Sequence, residues 1–157
     1  LLLALLACGC GTDDDYTTPT RFESCKFLAP LSGAVEEDVE LGDQHGCGGA
    51  GDAPAQILVL GWGVGPALNV KLTIEQIDAG QTGSHAGFIE LRDGEKLWRA
   101  AAPCDVEITE FNAKENDADS YEIKGNGNCS ADLDPIEGGA SGTISMGAFL
   151  FQSIAGY

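Results

Sequence analysis

Positive charge is what this chain most lacks: 8 Lys and Arg stand against 25 Asp and Glu, a formal net charge of −17. Nucleic-acid binding draws its affinity mainly from Lys and Arg neutralising phosphates, so this balance argues against DNA or RNA as a partner. It equally disfavours docking on anionic lipid by charge, while keeping a surface protein soluble. Histidine is scarce too, with only His45 and His85. A Ser/His/Asp arrangement would have to use one of them with Ser84 or Ser141 as nucleophile. No G-x-S-x-G elbow exposes a serine, and Ser84 and His85, as neighbours on a strand, point to opposite faces. Catalysis is left without identifiable players. No C-x-x-C pair offers a zinc site, and no cofactor is implied. Stretches suited to a long helix are missing, because glycine and β-branched residues recur too often.

What is present begins with Leu1-Leu2-Leu3-Ala4-Leu5-Leu6-Ala7, apolar without interruption. Seven residues cannot span a bilayer as helix, which takes about 20, but they suit the core of a signal peptide ending on a small residue. No Met or basic residue precedes the run, so the leader is expected to be incomplete at its start. Leu5-Leu6-Ala7-Cys8 resembles the lipobox of bacterial lipoproteins, with an aliphatic residue three before the cysteine and a small one just before it. The resemblance implies cleavage before Cys8 and a diacylglyceryl group on its thiol. Gly9 in place of Asp implies sorting to the outer membrane over retention at the inner one. Two or more acyl chains make such an anchor stable. Residues 1–7 thus read as the end of a signal peptide and residues 8–20 as a lipidated cysteine with an acidic tether. Asp13, Asp14 and Asp15 belong to that tether and not to a metal site, since such a stretch cannot bury apolar surface. Residues 21–157 remain as one domain.

Setting Cys8 aside, five cysteines remain, and Cys10 lies on the tether. In an oxidising compartment Cys25, Cys47, Cys104 and Cys129 can form two bridges, with three possible pairings. The pairing Cys25–Cys47 and Cys104–Cys129 is favoured because each joins neighbouring segments, contributing about 3 kcal/mol apiece in the chain-entropy model.

Apolar periodicity sets the fold class. Ile57 to Leu60 is a short buried run; Leu68, Val70, Leu72 and Ile74 alternate with polar residues, as on a strand with one wet face. Asp93-Gly94 between Ala86–Arg92 and Glu95–Ala101 is a hairpin signal, expected to place Arg92 opposite Glu95 and Ile89 opposite Trp98. Cys104, Val106 and Ile108 alternate on one strand; Tyr121, Ile123, Gly125, Gly127 and Cys129 alternate on another. Run antiparallel, they bring Cys104 opposite Cys129, with residues 112–120 as the loop. In the last strand, Gly142 to Ile154, the apolar phase flips around Gly147, where a bulge or bend is expected. Residues 21–55 suit a short helix or an irregular disulfide-tied segment. The whole predicts an all-β fold, an antiparallel sandwich or barrel-like sheet of about seven or eight strands.

Several tempting motifs fail. Gly61-Trp62-Gly63-Val64-Gly65-Pro66 puts proline where a dinucleotide loop needs glycine, and a strand follows where a helix N-terminus is required; it reads as a glycine-rich turn. Residues 115–119 and Asp132-Leu133-Asp134 are the best calcium candidates but lack the glycine and closing Glu of an EF-hand loop, so no metal site is assigned. The sequon at Asn128-Cys129-Ser130 competes with the bridge expected of Cys129 and is discounted. Two functions stay in view. The first is a lipid-anchored, noncatalytic envelope module with a structural or ligand-binding role and a protein or carbohydrate partner of unknown identity. The other is a small envelope hydrolase or calcium-assisted carbohydrate binder.

Overall fold

A computed structural model describes residues 24–63 and 65–157. They form twelve strands and one 3-10 turn. The strands are β1 (Lys26–Gly33), β2 (Glu37–Gly42), β3 (Cys47–Asp52), β4 (Ile57–Trp62), β5 (Asn69–Glu75) and β6 (Gly83–Asp93), then β7 (Lys96–Ala100), β8 (Cys104–Lys114), β9 (Asp117–Asn128), β10 (Leu133–Glu137), β11 (Ile144–Met146) and β12 (Phe149–Gly156). The all-β expectation holds; the number of strands is higher than the seven or eight foreseen. Among the described residues no helix is long and apolar enough to cross a membrane.

Hydrogen bonding joins all twelve strands into one sheet that closes on itself. From β6 one route runs through β5, β4 and β3 to β12, and a second through β7, β10, β11 and β1 to the same strand. The path β12–β9–β8 then returns to β6 from either route. Two strands make this possible by sharing an edge between partners. One edge of β6 pairs with β8 over Gly83–Gly87 and with β7 over Glu90–Asp93. One edge of β12 pairs with β1 over Leu150–Gln152 and then, in parallel, with β3 at Gly156. β2 is the exception to closure: among the described residues it pairs with β1 alone, and it carries Glu37, Asp38 and Glu40.

The core is the inward phase of these strands. Phe27, Leu58, Leu60, Trp62, Leu72, Ile74, Ile89, Leu91, Ile123 and Phe149 are essentially inaccessible. Phe27, Trp62, Phe149 and Phe151 pack as an aromatic group, with Phe27 and Trp62 centroids 5.1 Å apart and Trp62 and Phe151 5.9 Å apart. Their bulk is matched by glycines on β9: a Cβ at Gly125 would come 2.5 Å from Phe151 Cζ. The Trp62 indole N–H crosses the core wall to donate to the Gln152 carbonyl at 2.8 Å, on β12 near the point where that strand changes partner.

Both disulfides form with the expected pairing, Cys25–Cys47 and Cys104–Cys129. The register that places Cys104 opposite Cys129 holds from Asp105↔Asn128 to Ile108↔Gly125; a bulge after Ile108 then brings Phe111 opposite Ile123. The strands run further than the 112–120 loop allowed, leaving Glu115-Asn116 as the turn between them.

Other local expectations need correction. Residues 21–55 hold no α-helix among those described; they supply β1, β2 and β3. Gly61 and Trp62 continue β4, so the turn begins at Gly63. The segment from Gly142 to Ile154 is not one strand: β11 and β12 are separate, and both pair with β1. Gly147 between them donates its N–H to the Pro30 carbonyl.

The β6–β7 hairpin turns at Gly94-Glu95, with Gly94 at φ 62°, a first central position that favours glycine. That shifts the register by two, so that Leu91 faces Trp98 and Arg92 faces Leu97. Both registers keep Ile89, Leu91 and Trp98 on the inner face, so the apolar pattern could not separate them.

Candidate functional site

Strand alternation decides where the residues singled out for chemistry point. On β6, Gly87, Ile89 and Leu91 are buried, which places His85 in the inward phase and Ser84 in the outward one. His85 is paired with Val106 on the neighbouring strand. Its Nε2 is buried and has no hydrogen-bond partner among the described residues. Ser84 donates to the Glu107 carboxylate at 2.6 Å on the outer face. The two neighbours thus diverge as the strand geometry requires, and the hydroxyl is engaged by an acid that serves as acceptor. His45 closes the short turn Asp43–His45, where its Nδ1 accepts the Gly42 N–H at 3.1 Å. Ser141 is exposed. Among the described residues none of these side chains is hydrogen-bonded in a nucleophile–base–acid chain.

Ser84 lies in a trough of about 720 Å³ on the outer face of β6, β8 and β9. Cross-strand rows build it: Ser84–Glu107–Asn126 and Ala86–Asp105–Asn128. Gln76 and Gln81 stand at one bank, Ala148 at another. Carboxylates and amides dominate the lining, which also includes His85 beside Ser84. Such a surface offers hydrogen-bond acceptors and donors, with the Ser84 hydroxyl already engaged by Glu107.

The calcium candidates do not converge. Glu115 lies in a two-residue turn, and Asp117 accepts the Asp119 N–H at 3.3 Å. Asp132 accepts from the Thr143 hydroxyl at 3.4 Å, while Asp134 sits opposite Arg99 on β10. Among the described residues no three His, Cys, Asp or Glu side chains form a metal-holding group. Cys8, Cys10 and Asp13–Asp15 lie outside the described residues.

One charged feature escaped the sequence. Lys71, Glu90 and Arg99 are successive cross-strand neighbours on β5, β6 and β7. Glu90 takes the Lys71 ammonium on one oxygen and the Arg99 guanidinium on the other, with Arg99 Nε at 2.8 Å and Nη2 at 2.5 Å. The hairpin register hid this row. Register by charge would have revealed it, because the observed pairing sets Glu90 opposite Arg99 and Asp93 opposite Lys96, two complementary pairs where the expected register gave one.

Burial works to raise the Glu90 carboxyl, but hydrogen bonds and charge from Lys71 and Arg99 outweigh it and hold it below the ordinary carboxylate range. Its side chain is 17% exposed, but those of Lys71 and Arg99 are 47% and 49% exposed, so solvent screens both pairs substantially. A depressed folded-state pKa means stability that is full above the unfolded value and lost as pH falls through the folded one. Glu90→Gln should therefore cost about 0.5–1 kcal/mol at neutral pH. The difference from the unsubstituted protein should shrink once the pH drops below the ordinary Glu range. Urea titrations of both proteins from neutral to acid pH check this; a constant difference would contradict it.

The chain matches no family model, no curated protein and no solved structure.

Proposed function

We propose that this chain is a lipid-anchored, noncatalytic β module of the bacterial cell envelope with a structural or ligand-binding role, held to the membrane through Cys8. The outer membrane is favoured over the inner by Gly9. The observation that carries the reading is the pair of disulfides, Cys25–Cys47 and Cys104–Cys129, in a chain that also bears the Leu5-Leu6-Ala7-Cys8 motif. Disulfides persist in oxidising compartments, which is where an exported lipoprotein resides. The net charge of −17 supports solubility beyond the membrane and not binding to nucleic acid. The noncatalytic part rests on geometry: Ser84 is turned to Glu107 and away from His85.

Metabolic labelling with a fatty-acid probe in a bacterial host tests the anchor. Labelling and globomycin-sensitive processing should occur in the unsubstituted chain and vanish in Cys8→Ala. Labelling that survives the substitution would remove the anchor.

A further inference from the structure

Positive charge is not only scarce but gathered. Four of the eight Lys and Arg residues, namely Lys71, Arg92, Lys96 and Arg99, lie on β5, β6 and β7. Lys71 and Arg92 line a second concavity of about 500 Å³ on the outer face of β3 to β7. Its floor is low because the cross-strand partners Gly48 and Gly61 have no side chains, with Ala50 and Val59 beside them. Leu97, buried although it lies outside the core cluster, forms an apolar part of the bank.

The two cations differ in state. Lys71 is committed to Glu90. Arg92 lies between Asn69 and Leu97 in register, and no hydrogen bond or ion pair engages its guanidinium among the described residues. The Asn69 amide nitrogen is itself occupied by the Gly65 and Ala67 carbonyls. An unpaired guanidinium beside an apolar-floored hollow is suited to a planar anion, which it can bind by two parallel hydrogen bonds.

The geometry points to this hollow as a binding site for a small ring-bearing carboxylate, with Arg92 holding the carboxylate and the Gly48–Gly61 floor facing the ring. Its volume falls within the range of about 300–1,000 Å³ typical of small-ligand sites. The remaining surface sets the size of the ligand. Fixed charges act over about 8 Å at physiological ionic strength, so Arg92, with Lys71 held by Glu90 at the same hollow, governs a single carboxylate at the site. A long polyanion would extend over a protein whose net charge is −17 and be repelled. This deepens the ligand-binding reading without depending on the anchor.

Titration of the full chain with D-glucuronate, benzoate and inorganic phosphate, followed by amide chemical shifts, tests the site. At least one ring acid should saturate, moving the amides of Gly48, Gly61 and Arg92; glucuronate alone identifies a sugar acid and benzoate alone an aromatic one. Arg92→Gln should weaken binding by about tenfold or more. Gly61→Val should abolish it while leaving the melting temperature unchanged or higher. A Cβ at Gly61 meets only carbonyl oxygens at 3.9 Å, and at Gly48 nothing within 4 Å, while valine favours a strand. Should Gly61→Val fail to fold, Gly48→Val carries the same expectation. Failure of both acids to saturate, phosphate binding as tightly as either, or undiminished binding in the filled variants would overturn the proposal. Those results concern the ligand alone, whereas loss of the Cys8 label concerns the anchor alone.

Discussion

Trp62→Ala is expected to be the most damaging single substitution in the domain, costing about 4–5 kcal/mol. Trp62 is 1% exposed and touches Phe27 and Phe151, so its removal leaves a cavity that rigid strands cannot close. The same side chain is also the donor to the Gln152 carbonyl. Trp62→Phe separates these effects: it keeps an aromatic ring and loses the donor, for a cost of about 1–2 kcal/mol. Domains of this kind have about 5–15 kcal/mol in all, so the alanine variant should lose a large share of its stability. Urea denaturation with an unchanged slope measures both variants. Equal losses in Phe and Ala would mean that the hydrogen bond, and not the packing, dominates.

Removing the Cys25–Cys47 bridge by double substitution to alanine should cost about 3 kcal/mol in the chain-entropy model. The Cys104–Cys129 bridge closes a loop of nearly the same length, 25 residues against 22, and should cost about as much in global stability. Locally the two should differ. Cys104 and Cys129 extend a register that backbone hydrogen bonds already hold from Asp105↔Asn128 onward. Cys25 and Cys47 instead join β1 and β3, which do not pair with each other but share one edge of β12. The β3–β12 pairing consists of a single residue pair, Ala50↔Gly156. Hydrogen exchange should therefore show β3 amides losing protection in Cys25→Ala/Cys47→Ala, while β8 and β9 stay protected in Cys104→Ala/Cys129→Ala. Uniform loss in both variants would show that the bridge does not act on that seam in particular.

Legibility in the sequence followed side-chain size. β5 and the first half of the β8–β9 hairpin could be read because large apolar residues alternate with polar ones, and because one register satisfied both the pattern and the bridge. β3 could not, since Cys47-Gly48-Gly49-Ala50-Gly51-Asp52 has almost no side chains with which to show a period. It is a strand because β4 pairs with it from Cys47↔Trp62 to Asp52↔Ile57, a tertiary cause that local pattern does not carry. The same absence of side chains hid the hollow above Gly48 and Gly61. The Lys71–Glu90–Arg99 row was lost to a two-residue slip that left every apolar residue on its proper face. The inward set of His85 followed from alternation once the strand was known to begin at Gly83.

The two routes from β6 to β12 bear on what happens when part of the sheet comes loose. In a singly closed barrel, detaching one strand opens the ring, and the bared edges can recruit another molecule. Here, if β3 swings away from β12, the route through β7, β10, β11 and β1 still joins β6 to β12. If β11 frays instead, the route through β5, β4 and β3 remains. Opening one arm thus leaves the wall of β8, β9 and β12 joined to β6 through the other. Redundant closure of this kind keeps β6 joined to β12 when one arm opens.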